Sequence, residues 1–244
     1  MSGRRFTLED VRRSYTPEKR WAELQGELPA ALLYRPVSFW LTPPLLSLGV
    51  PPLVVTALAL AVAVAMPVVA WAGGEGAHWG VAALGLAFHV LDCVDGNMAR
   101  TLGRTSVQGA VADAFVDASF WALLLASLGL LVARTGGGLF GPHALEVALA
   151  VPVLVLVGRQ TRDVYAAASG RRAGLLVPTR PARLGAADVL RMAFFGLENV
   201  YVFAIALGGA LGALDRVLLG IAAYATAIAL GGVALSLRAA ARET

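Results

Sequence analysis

The stretch PPLVVTALALAVAVAMPVVAW, residues 51–71, decides the fold because it is almost entirely apolar and carries no charged side chain. A run of about 20 apolar residues crosses the hydrocarbon core of a bilayer as one helix. The whole chain has this character: of its 244 residues, 58% are hydrophobic and 15% are charged. A soluble domain would carry about 25% charged residues. The sequence therefore predicts an all-α polytopic membrane protein.

Hydropathy predicts six transmembrane helices in one domain, residues 51–244, preceded by a cytosolic or interfacial N-terminal segment, residues 1–50. The predicted spans are Pro51–Trp71, Trp79–Asp95, Gly109–Val132, Leu145–Arg159, Leu190–Leu211 and Leu214–Leu237.

The basic residues predict the orientation in the membrane. Of the 20 Lys and Arg residues, only Arg134 and Arg216 fall on the side of the short turns, and the other 18 fall on the opposite side. The positive-inside bias then places both termini in the cytoplasm, and we expect a multi-pass protein of the inner membrane. The same bias accounts for the net charge of +4, so we predict membrane lipids and no nucleic acid as partners.

The N-terminal segment contains an amphipathic pattern. Trp21, Leu24, Leu28 and Leu32 recur at helical spacing, which predicts a helix lying in the membrane interface. Arg35–Pro36 is expected to end this helix, because proline disrupts a helix interior. The alternative is a disordered basic tail held by anionic lipid.

Four aspartates occur within the predicted spans or at their ends: Asp92, Asp95, Asp113 and Asp117. Asp92 and Asp95 are three residues apart and Asp113 and Asp117 four apart, so each pair lies on one helix face. Carboxylates in a low-dielectric setting repel one another unless a cation compensates them. Carboxylate-rich ligation indicates Mg²⁺ or Mn²⁺, and four carboxylates suffice for two ions and a phosphate-bearing ligand. The alternative is structural ion pairing with Arg100 and Arg104, which are too few to neutralise four acids.

The acidic residues belong to a longer motif. Asp92-Cys-Val-Asp95-Gly96-Asn-Met-Ala99-Arg100 is followed, after eight residues, by Gly109, and then by Asp113 and Asp117 at intervals of four. Every fixed position of this pattern resembles the signature of the CDP-alcohol phosphatidyltransferase family.

The resemblance implies a reaction in phospholipid biosynthesis: a hydroxyl attacks the phosphorus of a CDP-linked substrate and displaces CMP. It implies that Asp92, Asp95 and Asp113 ligate the metals, and that Asp117 completes the second metal site and acts as general base. Contacts with the CDP moiety would come from four residues: Gly96, Arg100, Ser106 and Gly109. Family members often carry an Asn where this chain has Leu53, which puts a side-chain contact with the nucleotide in doubt.

The acceptor is left open by the sequence. In relatives that use an alcohol phosphate, basic residues near the fourth connection bind that phosphate, which makes Arg159 and Arg191 the candidates here; the alternative is ordinary positive-inside charge. The lipid can be donor or acceptor. Only one of the 20 basic residues is Lys, which indicates a GC-rich bacterial genome and favours CDP-diacylglycerol as the donor.

Other polar and small residues in the spans have simpler interpretations. His89 is expected to bond a neighbouring backbone group or hydroxyl, Cys93 to pack, and Glu198 and Asn199 to form an interhelical hydrogen bond. Gly208, Gly209 and Gly212 have small-residue spacing, which indicates close helix packing and a homodimer interface.

Two other functions use acidic residues among membrane spans. An intramembrane prenyltransferase would carry acidic clusters on two separate helix pairs, whereas this sequence shows one cluster. A divalent-cation transporter would place its acids near the middle of the bilayer and would not need Gly96, Arg100 and Gly109 at these spacings.

Overall fold

The computed structural model describes residues 5–25, 27–169 and 184–242, and within these ranges the regular structure is helical, with no strand. The helices are α1 (Leu8–Ser14), α2 (Pro17–Leu24), α3 (Arg35–Ser47), α4 (Pro52–Ala72), α5 (Ala77–Thr101), α6 (Val107–Arg134), α7 (Ala144–Ala168), α8 (Ala186–Phe195), α9 (Tyr201–Ala210) and α10 (Leu214–Ala240). A π-helical turn, Ala30–Tyr34, leads into α3.

Five helices in the described part of the chain are long and apolar enough to cross a bilayer: α4, α5, α6, α7 and α10. A sixth span is present if α8 and α9, which are joined by the 3₁₀ turn Leu197–Val200 and bent by 64°, are counted together. The all-α polytopic prediction is therefore confirmed. The division into residues 1–50 and 51–244 stays a prediction.

The predicted fifth span, Leu190–Leu211, was wrong as a continuous helix because the chain breaks at Gly196. Glycine is a poor helix former, and here it also makes room for another segment. A Cβ atom at Gly196 would lie 2.6 Å from Cδ of Pro29 and 3.2 Å from the backbone nitrogen of Leu28. The break therefore lets the N-terminal segment approach the fifth span closely.

The N-terminal segment is more elaborate than the predicted single helix. It forms α2, the π-helical turn and α3, and Arg35–Pro36 begins α3 instead of ending a helix. That expectation was wrong because the first turn of a helix tolerates a proline, whose missing N–H has no partner there in any case. Trp21 is buried, whereas Leu32 is 62% exposed. Placement of this segment in the membrane interface stays a prediction.

The hydrophobic core lies among α4, α5, α6, α7, α9 and α10. Its centre is the stacked pair Phe88 and Phe120, whose ring centroids are 3.8 Å apart. Small residues bring helices together: a Cβ at Gly129 of α6 would lie 2.6 Å from the Cβ of Ala148 on α7. Many large apolar side chains point outward, as expected for a surface that faces lipid.

The glycines that suggested a dimer interface pack against other residues of the same chain or form a turn. A Cβ at Gly208 would collide with Val217, and one at Gly209 would collide with the ring of His78. Gly212 has φ +63° in the turn before α10, a conformation that favours glycine. These positions have roles inside one chain, and a homodimer stays a prediction.

Candidate active site

The acidic motif occupies the C-terminal half of α5 and the first turns of α6. Gly103, with φ +63°, allows the turn between the two helices. Ser106 then caps α6, and its Oγ accepts a 3.0 Å hydrogen bond from the backbone N–H of Gly109. Side-chain capping of this kind satisfies an otherwise unpaired backbone donor. The sequence between the aspartates thus fixes where α6 begins and how its first turns meet α5.

Three of the four aspartates come together. Asp92, Asp95 and Asp113 present one carboxylate oxygen each, and these oxygens lie within 4.8 Å of one another. Asp95 is buried, Asp92 is half-buried and Asp113 is exposed, so the cluster opens to one side. Oxygen-only ligation at this proximity fits a hard divalent cation, because an ion would relieve the repulsion between the carboxylates.

Thr56 on α4 makes a hydrogen bond to one aspartate of the cluster. The hydroxyl of Thr56 donates a 2.6 Å hydrogen bond to Oδ2 of Asp95, and it lies 3.2 Å from the backbone oxygen of Pro52. Thr56 is itself buried. The hydrogen bond fixes the orientation of one carboxylate, the role that outer partners of metal ligands commonly have.

Asp117 lies one turn beyond Asp113 and is not part of the three-carboxylate cluster in this structure. Its Oδ2 is 3.5 Å from Nη1 of Arg159 on α7, and both side chains are partly exposed. Asp117 therefore lies between the three-carboxylate cluster and the guanidinium of Arg159.

An open cavity of about 170 Å³ contains the four aspartates and two of the predicted CDP contacts, Gly96 and Arg100. The guanidinium of Arg100 folds back over Gly96: a Cβ at Gly96 would lie 3.1 Å from Nη1 of Arg100. Ser106 and Gly109 do not line this cavity, and both are exposed near the start of α6. The structure therefore brings Gly96 and Arg100 to the carboxylates, and leaves Ser106 and Gly109 at the edge.

The opposite wall of this cavity comes from the N-terminal segment, which the sequence analysis did not connect with the site. The wall consists of Lys19, Glu23, Glu27 and Arg35. The spacing of four residues between Lys19, Glu23 and Glu27 was a usable signal, since it places these three on one helical face.

Glu23 and Arg35 form a buried ion pair in this wall. Burial raises the pKa of Glu23, but the charges of Arg35 and Lys19 and a 2.7 Å hydrogen bond from Tyr15 outweigh burial and hold this pKa below its usual range. Burial, followed by the neighbouring Glu23, raises the pKa of Tyr15 above its ordinary value. Glu23 is therefore an anion, and the tyrosine keeps its proton to donate.

A second, deeper cavity of about 90 Å³ adjoins the first, with Asp92 and Asp117 on its boundary. Arg159 and Glu198 also line it, and Glu198 makes no side-chain hydrogen bond or salt bridge with the described residues. His89 borders this cavity with its ring stacked on Tyr34 at 4.5 Å.

The expectation that His89 bonds a neighbouring backbone group or hydroxyl was wrong, since its ring makes no hydrogen bond to the described residues. Its Nε2 is buried without a hydrogen-bond partner among the described residues. The reason is that aromatic rings pack around the imidazole, leaving the cavity as its polar neighbour.

The predicted interhelical hydrogen bond of Glu198 and Asn199 was wrong: the Asn199 side chain donates to the backbone oxygen of Gly196, three residues earlier, and Glu198 makes no such bond with the described residues. The backbone oxygen of Asn199 accepts from the hydroxyl of Tyr34. Cys93 is buried, as expected of a packing residue.

The arginines proposed for the acceptor have different surroundings. Arg159 lines the deeper cavity, whereas Arg191 donates a 2.7 Å hydrogen bond to Oε1 of Gln25 and lines neither cavity. Of the other arginines of the fourth connection, Arg162 lies on α7, whereas Arg171, Arg172, Arg180 and Arg183 lie outside the described residues.

Residues 50–230 match the family profile of the CDP-alcohol phosphatidyltransferases. The chain belongs to that family. The match covers the acidic motif and most of the predicted six-span region, while α1, α2 and α3 precede it. A comparison with curated proteins finds no match.

Family membership makes the protein a membrane transferase that acts on a CDP-alcohol and an alcohol acceptor. The CDP-alcohol phosphatidyltransferases generally depend on a divalent metal, and the carboxylate cluster of this chain agrees with that chemistry. This membership favours the transferase over the prenyltransferase and transporter alternatives.

Proposed function

We propose that the protein transfers a phosphatidyl group from CDP-diacylglycerol to the hydroxyl of a polar alcohol or alcohol phosphate, releasing CMP, in phospholipid biosynthesis. The observation that carries this proposal is the cluster of Asp92, Asp95 and Asp113, which shares one open cavity with Arg100 in a member of this family. Carboxylates and an arginine at one site match the two needs of a nucleotide diphosphate, cation ligation and charge-assisted hydrogen bonding.

In this proposal Asp92, Asp95 and Asp113 hold Mg²⁺ or Mn²⁺, and Asp117 contributes to a second ion. When bound, these ions neutralise charge on the pyrophosphate and on the leaving CMP. Thr56 supports this role through its hydrogen bond to Asp95, which leaves the carboxylate little freedom to rotate.

The nucleotide is held by the chain around the turn between α5 and α6. Arg100 offers a planar fork of donors to a phosphate, and Gly96 leaves the space that its guanidinium occupies. Ser106 and Gly109 lie at the exposed start of α6 and do not line the cavity, so in this proposal they contact a part of the nucleotide that extends beyond it. The side chain of Leu53, which replaces the Asn found in many relatives, is 45% exposed and offers no polar atom to the nucleotide.

Asp117 is the general base in this account. Its position between the two cavities lets it accept the proton of an acceptor hydroxyl that enters from the deeper one. The acceptor oxygen forms a bond to the β-side phosphorus, the bond to the CMP oxygen breaks, and CMP leaves with the electron pair. Arg159 lies 3.5 Å from Asp117 and is the proposed partner of an acceptor phosphate, whereas Arg191 is the weaker candidate because it already donates a hydrogen bond to Gln25.

The positive-inside bias supports a cytoplasmic site in the inner membrane, with the N-terminal wall on the same side. Water-soluble CMP and acceptor then exchange with the cytoplasm, and the acyl chains of the donor enter laterally from the bilayer.

Acceptor-dependent CMP release by the purified protein tests the proposed function. The assay contains CDP-diacylglycerol, Mg²⁺ or Mn²⁺, and one of serine, glycerol 3-phosphate, inositol or inositol 1-phosphate. Asp113→Asn should abolish release, and Asp163→Asn, an exposed aspartate of α7 outside both cavities, should leave it unchanged. Release only when a CDP-linked alcohol is combined with diacylglycerol would reverse the assignment of donor and acceptor.

A further inference from the structure

A buried chain of hydrogen bonds joins the N-terminal segment to the arginine proposed to bind the nucleotide. We call Glu23, Arg35, Asn97 and Arg100, in this order of contact, the Glu23–Arg100 chain. Glu23 pairs with the guanidinium of Arg35, which reaches Oδ1 of Asn97 with Nη1 at 3.0 Å. The same oxygen accepts from Nη2 of Arg100, also at 3.0 Å.

The centre of the chain is Asn97, whose side chain is fully buried. Guanidinium groups only donate hydrogen bonds, so the atom between the two arginines must be the amide oxygen. The amide nitrogen consequently points the other way and donates a 2.9 Å hydrogen bond to the hydroxyl of Ser38. The two arginines therefore determine the orientation of the Asn97 amide, and Ser38 accepts from the nitrogen.

Arg35 is held from several directions and cannot follow Asn97 if it moves. Its Nε donates to Oε2 of Glu23 at 3.2 Å, and its Nη1 also donates to the backbone oxygen of Cys93 at 3.0 Å. Its guanidinium lies over the ring of Tyr15, 5.4 Å from the centroid. Arg35 therefore has a fixed position in the Glu23–Arg100 chain.

Arg100 is the adjustable end. Among the described residues its hydrogen-bond partner is Asn97, its Nε is buried without a partner, and its guanidinium rests against Gly96. Arg100 also lines the open cavity that contains the carboxylates. A shift of the amide oxygen would therefore change where the guanidinium points.

We propose that Asn97 and Arg35, anchored by Glu23, are positioning residues that hold the Arg100 guanidinium ready for the nucleotide diphosphate. Nucleotide affinity then depends on docking of the N-terminal segment, which lies outside the range matched by the family profile. The proposal rests on the proposed function, in that it takes Arg100 as a nucleotide contact.

Charge explains why an amide joins the arginines. Two guanidinium groups that share one oxygen repel each other, and Glu23 compensates Arg35. Without Glu23, Arg35 would be an unpaired buried cation and would compete more strongly for the oxygen of Asn97. The effect of Glu23 should therefore reach Arg100 through Arg35 and Asn97, since no hydrogen bond joins Glu23 to Arg100 among the described residues.

The test compares variants of Asn97 in the full chain, purified in detergent with Mg²⁺. Asn97→Leu removes the oxygen at similar size, Asn97→Asp keeps an accepting oxygen, and Ser38→Ala removes the partner of the amide nitrogen as a matched packing control. The readouts are the Kd of CDP, the KM of CDP-diacylglycerol, kcat, and the thermal midpoint of each variant.

Asn97→Leu should raise the Kd of CDP and the KM of the donor about tenfold, since a hydrogen bond to a charged group is lost. The acceptor KM should stay within about twofold, and Asn97→Asp should restore nucleotide affinity. A Kd within about twofold of wild type, or equal losses in Asn97→Leu and Ser38→Ala, would overturn the proposal.

Two further measurements apply if Asn97→Leu does not fold or if the wild type is inactive. If Asn97→Leu does not fold, Glu23→Gln is measured instead; weaker CDP binding supports the proposal, and an unchanged Kd contradicts it. If the wild type releases no CMP with any acceptor, the proposed function fails, and the Kd of CDP alone still decides whether Asn97 positions Arg100.

Discussion

Oγ1 of Thr56 lies 2.6 Å from Oδ2 of Asp95 and joins two residues that are 39 positions apart in the chain. The contact connects the first turns of α4 to the carboxylate cluster on α5 and α6. Asp95 is also the most buried member of that cluster. One hydroxyl therefore sets the orientation of the carboxylate that is least accessible to water.

Thr56→Val should weaken metal binding. Valine keeps the shape of threonine but removes the donor to Asp95, and loss of such an outer partner typically lowers metal affinity by about 10- to 100-fold. The measurement is a Mn²⁺ titration of activity. Thr56→Ser, which keeps the hydroxyl, is the control and should titrate like the wild type; equal behaviour of Val and wild type would remove Thr56 from the site.

Arg159→Ala should raise the acceptor KM about tenfold or more, because Arg159 lines the deeper cavity beside Asp117. Arg191→Ala should have a smaller effect, because Arg191 is bonded to Gln25 outside that cavity. In both variants the KM of CDP-diacylglycerol should stay near the wild-type value. Steady-state kinetics with varied acceptor separate the two, and a larger effect at Arg191 would show that the acceptor lies elsewhere.

Gly129→Ala should destabilise the helix bundle. The added Cβ would lie 2.6 Å from the Cβ of Ala148 and 3.1 Å from the Cα of Leu145, so α6 and α7 would have to separate. Overpacking of this kind costs about 1–3 kcal/mol. Gly220→Ala is the matched control, since nothing lies within 4 Å of its added Cβ. Thermal unfolding in detergent should show a lower midpoint for Gly129→Ala alone; equal midpoints would contradict the α6–α7 packing.

Glu23 should make docking of the N-terminal segment sensitive to acid. Its folded-state pKa lies below its ordinary value, so the ion pair contributes its full stability above about pH 4.3, the pKa of an unperturbed Glu. That contribution is lost as the pH falls through the lower, folded-state pKa.

This pH dependence is checked by measuring the thermal midpoints of the wild type and of Glu23→Gln from pH 7 to pH 3. The wild type should be more stable by about 3 kcal/mol or more at pH 7, as expected when a buried charge loses its partner. The difference should shrink below about pH 4. A difference that does not change with pH would mean that the carboxylate charge is not what stabilises the segment.

Helix content and the carboxylate cluster could be predicted from the sequence because both follow from local patterns. Apolar runs such as residues 51–71 identify spans by length alone. Spacing alone placed Asp92 with Asp95 and Asp113 with Asp117 on single faces, and the short connection brought α5 and α6 together. These inferences need only helix geometry.

What could not be predicted depends on contacts between distant segments. The break at Gly196 accommodates Pro29, and the wall at Glu23 and Arg35 is aligned with the site only after the N-terminal segment packs on α5. The role of Asn97 was missed for a related reason. It lies between the fixed residues Gly96 and Ala99 of the motif, and only its buried partners Arg35 and Ser38 indicate the role that we propose for it.

In the proposed reaction Asp92, Asp95 and Asp113 together hold a divalent cation. The most direct measurement is Mn²⁺ binding followed by electron paramagnetic resonance on the purified protein, with Asp95→Asn compared with Asp163→Asn. We expect saturable binding in wild type and Asp163→Asn, at a stoichiometry of two ions when CDP is present, and at least a tenfold loss of affinity in Asp95→Asn. Binding that is unchanged in Asp95→Asn, or absent from the wild type, would contradict it.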